Sequence, residues 1–213
     1  MTHAPRRARG LTLVELLLAL SLTALAGLGT ASMLAMIGQS TQADREGRSV
    51  VMRAHAIHSR VRAYLEPALC VLQNDPQRGG LAVWLMDQPG PGMVNLSEIR
   101  VLWFDAAAKT LTVERVAFPD AWPQSAKDLA DVTVPAASDF LSVMLAQRAL
   151  GYTSSQDVAR EVWSAQWSFD PGASGGVANA RRVLLTAQVG INGSAATGVL
   201  VAAGLPNQRR PAQ

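Results

Sequence analysis

The sequence predicts an α+β protein: one long N-terminal helix followed by a head of antiparallel strands. Between Arg9 and Asp44 the only charged residue is Glu15, so a nearly uninterrupted apolar segment opens the chain. From Gln39 to Glu66 apolar residues recur at helical spacing. From Leu81 to Ala203 short, largely alternating segments are separated by loops rich in Gly, Pro and Asn. With 213 residues the chain suits one ordinary domain plus appendages. Charged residues make up 16% and apolar residues 49%, which excludes a disordered chain. The mean hydropathy of +0.14 is high for a soluble domain, and the excess is concentrated in that first segment.

Residues 1–10 (MTHAPRRARG) are short, polar and basic, carrying Arg6, Arg7 and Arg9. Residues 11–37 follow; as a helix they span about 40 Å, more than the ~30 Å hydrocarbon core of a bilayer. Gly27 and Gly29 lower helical propensity at mid-span and predict a local bend or melting there. In the next stretch Val50, Ala54, Ile57, Val61 and Tyr64 step by four, three, four and three, and Leu65 joins their face. Arg48, Arg53, Arg60 and Arg62 lie off it, and Pro67 ends the pattern. The two halves together predict a single helix of roughly 80 Å, with Gly38 and Gly47 as points where it can bend.

The remainder reads as mostly strand. Leu81–Met86 is a candidate, stopped by the loop Gln88-Pro-Gly-Pro-Gly92. Ile99–Asp105 and Thr110–Phe118 predict a hairpin around Asp105-Ala-Ala-Ala-Lys109. Val158–Asp170 alternates well enough to predict one strand. Arg182–Ile191 and Thr197–Ala203 predict a final hairpin across Asn192-Gly193-Ser194. Between the halves, Phe140–Leu150 predicts a short helix with Ser138 as its cap.

Three readings fit the N-terminus from its residues alone: a secretory signal peptide, a plain membrane anchor, and a processed anchor that packs into a fibre. Ala24-Leu25-Ala26 is a signal-like cleavage site. Against a signal peptide, Glu15 falls inside the apolar run, and the run continues well past Ala26. A carboxylate in hydrocarbon costs several kcal/mol unless paired, so an intramembrane Glu marks function. Ala19, Thr23, Gly27, Ala31 and Ala35 recur every four residues, a stripe of small side chains along which another helix can approach. Small residues are also common in membrane helices generally, so the stripe alone selects nothing.

Gly10-Leu11-Thr12-Leu13-Val14-Glu15, with a short basic leader before it and a long apolar helix after it, resembles the prepilin signature of type IV pilins and type II secretion pseudopilins. Leu11 stands where that pattern usually has phenylalanine. The resemblance implies a pilin-like fold, with the long helix packed on an antiparallel sheet. It also implies cleavage between Gly10 and Leu11 by a prepilin peptidase, and methylation of the new Leu11 amine. The positive partner of Glu15 would then be the cationic amine four residues away or that of a neighbouring subunit, and its place in the first helical turn suits a negative charge. Arginines flank the span on both sides, so charge alone leaves topology tied. The resemblance puts the N-terminus in the cytoplasm and the head beyond a bacterial inner membrane.

The boundaries that follow are a leader over 1–10, a transmembrane or filament-core helix over 11–37, an amphipathic helix over 38–66, a β-rich head over 67–205 and a tail over 206–213. The implied partners are the prepilin peptidase, other pseudopilins or pilins, an inner-membrane assembly platform and membrane lipid. Trp163-x-x-x-Trp167-x-Phe-Asp, a glycine loop, then Arg182-Val-Leu-Leu-Thr resembles the C-terminal strands of J-type minor pseudopilins. A minor pseudopilin of a secretion system is the expectation. A minor pilin of a type IV pilus or DNA-uptake apparatus is the alternative, and a membrane-anchored binding or scaffold protein is the alternative of another class.

Other chemistry finds little support. The single cysteine, Cys70, excludes an intramolecular disulfide and a multi-thiolate zinc site. Although the sequence pI is 9.6, no Lys/Arg run exceeds two residues, so no nucleic-acid partner is expected. Gly172-Ala-Ser-Gly-Gly176 matches a nucleophile elbow, but the histidines, His3, His55 and His58, all precede Ser174. His55 and His58 share a helical spacing and lie beside arginines, which reads as solvated surface. Asp128, Asp131 and Asp139 lack the spacing of a calcium loop. No enzyme activity, cofactor or metal is expected. Trp84, Trp103, Trp163 and Trp167 read as core, and Trp122 as the tryptophan left exposed to a partner. Removing a leader with three arginines and no acid would leave the mature side chains formally neutral.

Overall fold

The computed structural model describes residues 13–85, 92–170, 177–191, 194–206 and 209–211. Helix α1 runs from Leu13 to Leu65, continuous through Gly27 and Gly29, so the sequence-predicted melting there does not occur. The strands are β1 (Cys70–Asp75), β2 (Gly80–Trp84), β3 (Val94–Asn95), β4 (Ile99–Asp105), β5 (Thr110–Val116), β6 (Thr133–Val134), β7 (Thr153–Arg160), β8 (Val162–Asp170), β9 (Arg182–Ile191) and β10 (Ser194–Gly204). Two short helices, α2 (Gln124–Ala130) and α3 (Phe140–Ala149), lie in the connections. The architecture is α+β, a long N-terminal helix followed by antiparallel sheets, and it fits a pilin-like fold. The chain divides into two compact units, Met1–Arg48 and Ser49–Gln213.

Within the second unit a five-stranded sheet has the order β1-β2-β4-β5-β7, and a three-stranded sheet the order β10-β9-β8. The two-residue strands β3 and β6 pair separately, so three sheets stand where the sequence predicts one. Alternation divides the five-stranded sheet into two faces. On one side Leu81, Val83, Leu102, Leu111 and Val113 join Ile57, Val61 and Leu65 of α1 and Val183, Leu185, Val189 and Val201 of the smaller sheet. On the other, Ala82, Trp84, Ile99 and Val101 pack with Phe140, Leu141 and Met144 of α3. Burial of each large aliphatic side chain contributes about 2 kcal/mol. Strand β2 is buried on both faces, which explains its continuous apolar sequence.

Three sequence readings need correction. Val158–Asp170 is two strands, and the chain changes sheet at Glu161, whose φ is +59°. That backbone is held by Gly190 N–H, which donates to Glu161 O at 2.9 Å, and by an ion pair between Arg53 and the Glu161 carboxylate. The N-cap of α3 is Asp139, which accepts from Ser142 N–H at 3.1 Å, so Ser138 is not the cap. Hydrogen bonds from Ser142, Gln73 and Arg78 hold the Asp139 carboxyl well below the usual range. Trp122 is half-buried: it stacks on Phe118 at 6.1 Å and meets Tyr152 edge-on at 5.2 Å.

Two features of β1 and its turn escape sequence reading. Cys70 opens β1 fully buried, and burial pushes its thiol up to about 12, so it is an inert core residue. Gly79, in the β1–β2 turn, has φ +67°, and a Cβ there would lie 2.4 Å from Phe104 O. Gly79→Ala is therefore expected to cost about 2 kcal/mol, read as a lower urea midpoint with unchanged slope.

Candidate assembly segment

The N-terminal unit is described from Leu13 to Met36 in side-chain detail, and every residue there is exposed. This stretch of 24 residues has a mean hydropathy of 1.9, and it is long and apolar enough to cross a membrane once. Polar side chains inside such a segment must find partners within it. Ser21 donates to Leu18 O at 2.9 Å, and Thr23 to Ala19 O at 2.8 Å. Thr30 donates to Gly27 O at 2.9 Å, and Ser32 to Gly29 O at 2.9 Å. Each hydroxyl of the segment is thus satisfied by its own helix one turn back. An apolar sequence of this kind folds as a helix because no other isolated element satisfies its backbone in lipid.

Ala19, Thr23, Gly27, Ala31 and Ala35 all lie on the exposed helix surface. A Cβ at Gly27 would meet nothing within 4 Å among the described residues of the chain. Steps of four follow the helix ridge that packs into the grooves of a neighbouring helix. Glu15 occupies the first turn of α1. Gly10 and Leu11 lie outside the described residues.

The family model for the prokaryotic N-terminal methylation motif matches residues 5–31. The chain is type IV prepilin-like. Among curated proteins none matches it. The prepilin motif implies processing by a prepilin peptidase and assembly with other pilins, and it indicates a structural subunit. The match ends at residue 31, so the head of this prepilin-like chain is characterised by its own geometry alone.

The head does not bring the remaining sequence candidates together. His55 is exposed, and His58 lies 3.4 Å from an Arg62 guanidinium nitrogen, which disfavours a bound cation. Asp131 accepts from Ser97 N–H at 2.8 Å and Ser97 Oγ at 2.6 Å, and Asp128 accepts from Gln124 at 2.6 Å, while Asp139 caps α3. Among the described residues no group of three or more His, Cys, Asp or Glu is placed to hold a metal ion. Ser174 and its glycines lie outside the described residues. Trp84 is fully buried, and its indole donates to Glu98 at 2.9 Å; Trp103, Trp163 and Trp167 are half-buried.

Sequence reasoning misses the charged groups inside the head, because strand register brings them together. Glu114 is 1% exposed and accepts from Trp103 Nε1 at 2.7 Å, Arg148 Nε at 2.8 Å and Arg148 Nη2 at 2.6 Å. Burial raises its carboxyl pKa, but hydrogen bonds from Arg148, Thr153 and Trp103, with the Arg148 charge, outweigh it and hold the group ionised. Arg100, 8% exposed, stands directly across β4 and β5 from Arg115.

Proposed function

We propose that this chain is a minor pseudopilin, a non-enzymatic subunit that is processed at the membrane and assembled into a fibre for protein secretion. The prepilin motif, which runs into a lipid-compatible helix, is the observation that carries the reading. Cleavage falls between Gly10 and Leu11, and methylation of the Leu11 amine keeps it cationic. The helix rests in the bacterial inner membrane with its N-terminus cytoplasmic and its head outside. On insertion, Glu15 and the amine of a neighbouring subunit neutralise one another in an apolar bundle, where an unpaired charge would be costly. The small-residue stripe from Ala19 to Ala35 lets helices approach closely. The assembly platform of the inner membrane is the remaining partner, and the head makes the contacts that distinguish this subunit from others.

Mass spectrometry of the chain recovered from its native membrane tests the processing directly. A mature N-terminus at methylated Leu11 is the expected result. A chain beginning at Met1 overturns the reading in favour of a plain anchor, and one beginning at Gly27 in favour of a secreted protein.

A further inference from the structure

The pairing of β4 with β5 sets Arg100 and Arg115 directly opposite one another. Like charges so placed repel. Arg100 is almost buried, and its Nη1 donates to two backbone carbonyls, Ser97 O at 2.7 Å and Ile99 O at 2.9 Å. Among the described residues neither arginine forms a salt bridge. The neighbouring carboxylate, Glu114, is committed to Arg148 and Trp103. Burial lowers the Arg100 pKa and the Arg115 charge lowers it further, while Tyr64 acts in the opposite sense; the register and the burial of Arg100 make the pair electrostatically unfavourable as it stands. An anion between the two guanidinium groups would reverse that balance.

The space for one is present. Arg100 and Arg115 line a cavity of 680 Å³ together with Lys127, Asp128 and Asp131. Both also line a second cavity, of 330 Å³, beside Tyr64. In the larger cavity three cations face two carboxylates, and those carboxylates are hydrogen-bonded to Ser97 and Gln124. One positive charge is left over. That matches a single carboxylate, whereas a phosphate dianion would exceed it and meet Asp128 and Asp131. Planar guanidinium forks also suit the planar carboxylate.

We propose that Arg100 and Arg115 form a docking site for a carboxylate from outside the chain, an acidic side chain of an adjoining subunit. The identity of that partner rests on the assembly reading given above; the site itself rests on the register and the charge count. The test uses the full chain in detergent, titrated at constant ionic strength with N-acetyl-glutamate amide, which carries only the side-chain carboxylate. A saturable rise in Tm with half-saturation at about 1–10 mM is expected. Arg115→Gln is expected to raise Tm without ligand, because repulsion is relieved, and to weaken half-saturation by at least about tenfold. An equal response to N-acetyl-glutamine amide overturns the site, as does an unchanged response in Arg115→Gln. Tighter binding of inorganic phosphate overturns the carboxylate assignment. None of these readings depends on processing: a chain that starts at Met1 yet binds the capped glutamate keeps the site and loses the assembly partner.

Discussion

Arg148→Ala is expected to lower the stability of the head by about 3 kcal/mol at pH 7. The Arg148 side chain is 49% exposed, whereas that of Glu114 is 2% exposed. An exposed arginine in a surface pair would contribute little, so the effect comes from the carboxylate stranded behind it. Trp103 and Thr153 would remain as donors, which keeps the loss near the lower end for a broken buried pair. The pH dependence separates this account from simple loss of packing. In the native protein the Glu114 carboxyl is held below its unfolded value. Its contribution is therefore complete above the unfolded pKa, about 4.3, and lost as pH falls through the lower folded value. Without Arg148 burial dominates, the folded pKa rises above the unfolded one, and the variant suffers most at neutral pH. Urea unfolding at pH 7 and pH 4 should thus show a deficit that shrinks on acidification. A deficit independent of pH would mean that Arg148 acts through its packing near Trp103, 5.3 Å away, and not through Glu114.

Glu15→Ala is expected to leave membrane insertion intact and to reduce incorporation into fibres by two orders of magnitude or more. The two halves of that result have opposite signs for one physical reason. In lipid, deleting a carboxylate removes a group that costs several kcal/mol to bury, so insertion is unchanged or improved. In the proposed bundle, the same deletion leaves a neighbour's methylated amine unpaired. Breaking a buried pair in this way costs about 3–5 kcal/mol, a factor of more than 100. Membrane fractionation and quantification of the subunit in purified fibres give the two readouts. A variant present in fibres at the native level would remove charge pairing from the mechanism.

Legibility in the sequence follows how local each cause is. The hairpin of β4 and β5 is readable because Asp105-Ala-Ala-Ala-Lys109 sits between two alternating runs, and Asp105 itself accepts the turn N–H groups of Ala107 and Ala108. The inward face of α1 over Val50, Ile57, Val61 and Leu65 is readable from spacing alone. The break at Glu161 is not, since the residue that adopts positive φ is neither Gly nor Asn, and its support comes from Arg53 and Gly190 far away in the chain. Strand β1 is hidden because Gln73, Asn74 and Asp75 have turn-like identities; Gln73 is instead engaged by Asp139 and by Leu141 N–H. Trp122 looks exposed until Tyr152, thirty residues on, is brought beside it. The N-terminal segment is the opposite case: the methylation motif is matched over the contiguous residues 5–31, so the resemblance is legible in the sequence itself. The arginine pair needs a strand register, and no spacing rule supplies it.

The hydroxyls of the N-terminal helix carry a further meaning. Ser21, Thr23, Thr30 and Ser32 all give their protons to carbonyls of their own helix. Their donor protons are thus already used within the helix itself. For these groups, acyl chains and neighbouring helices are equivalent solvents. On the proposed reading, transfer of the segment between them costs nothing at these hydroxyls, and Glu15 is the polar group whose surroundings must change. In the proposed passage from lipid into a fibre, Ser21, Thr23, Thr30 and Ser32 would therefore favour neither side.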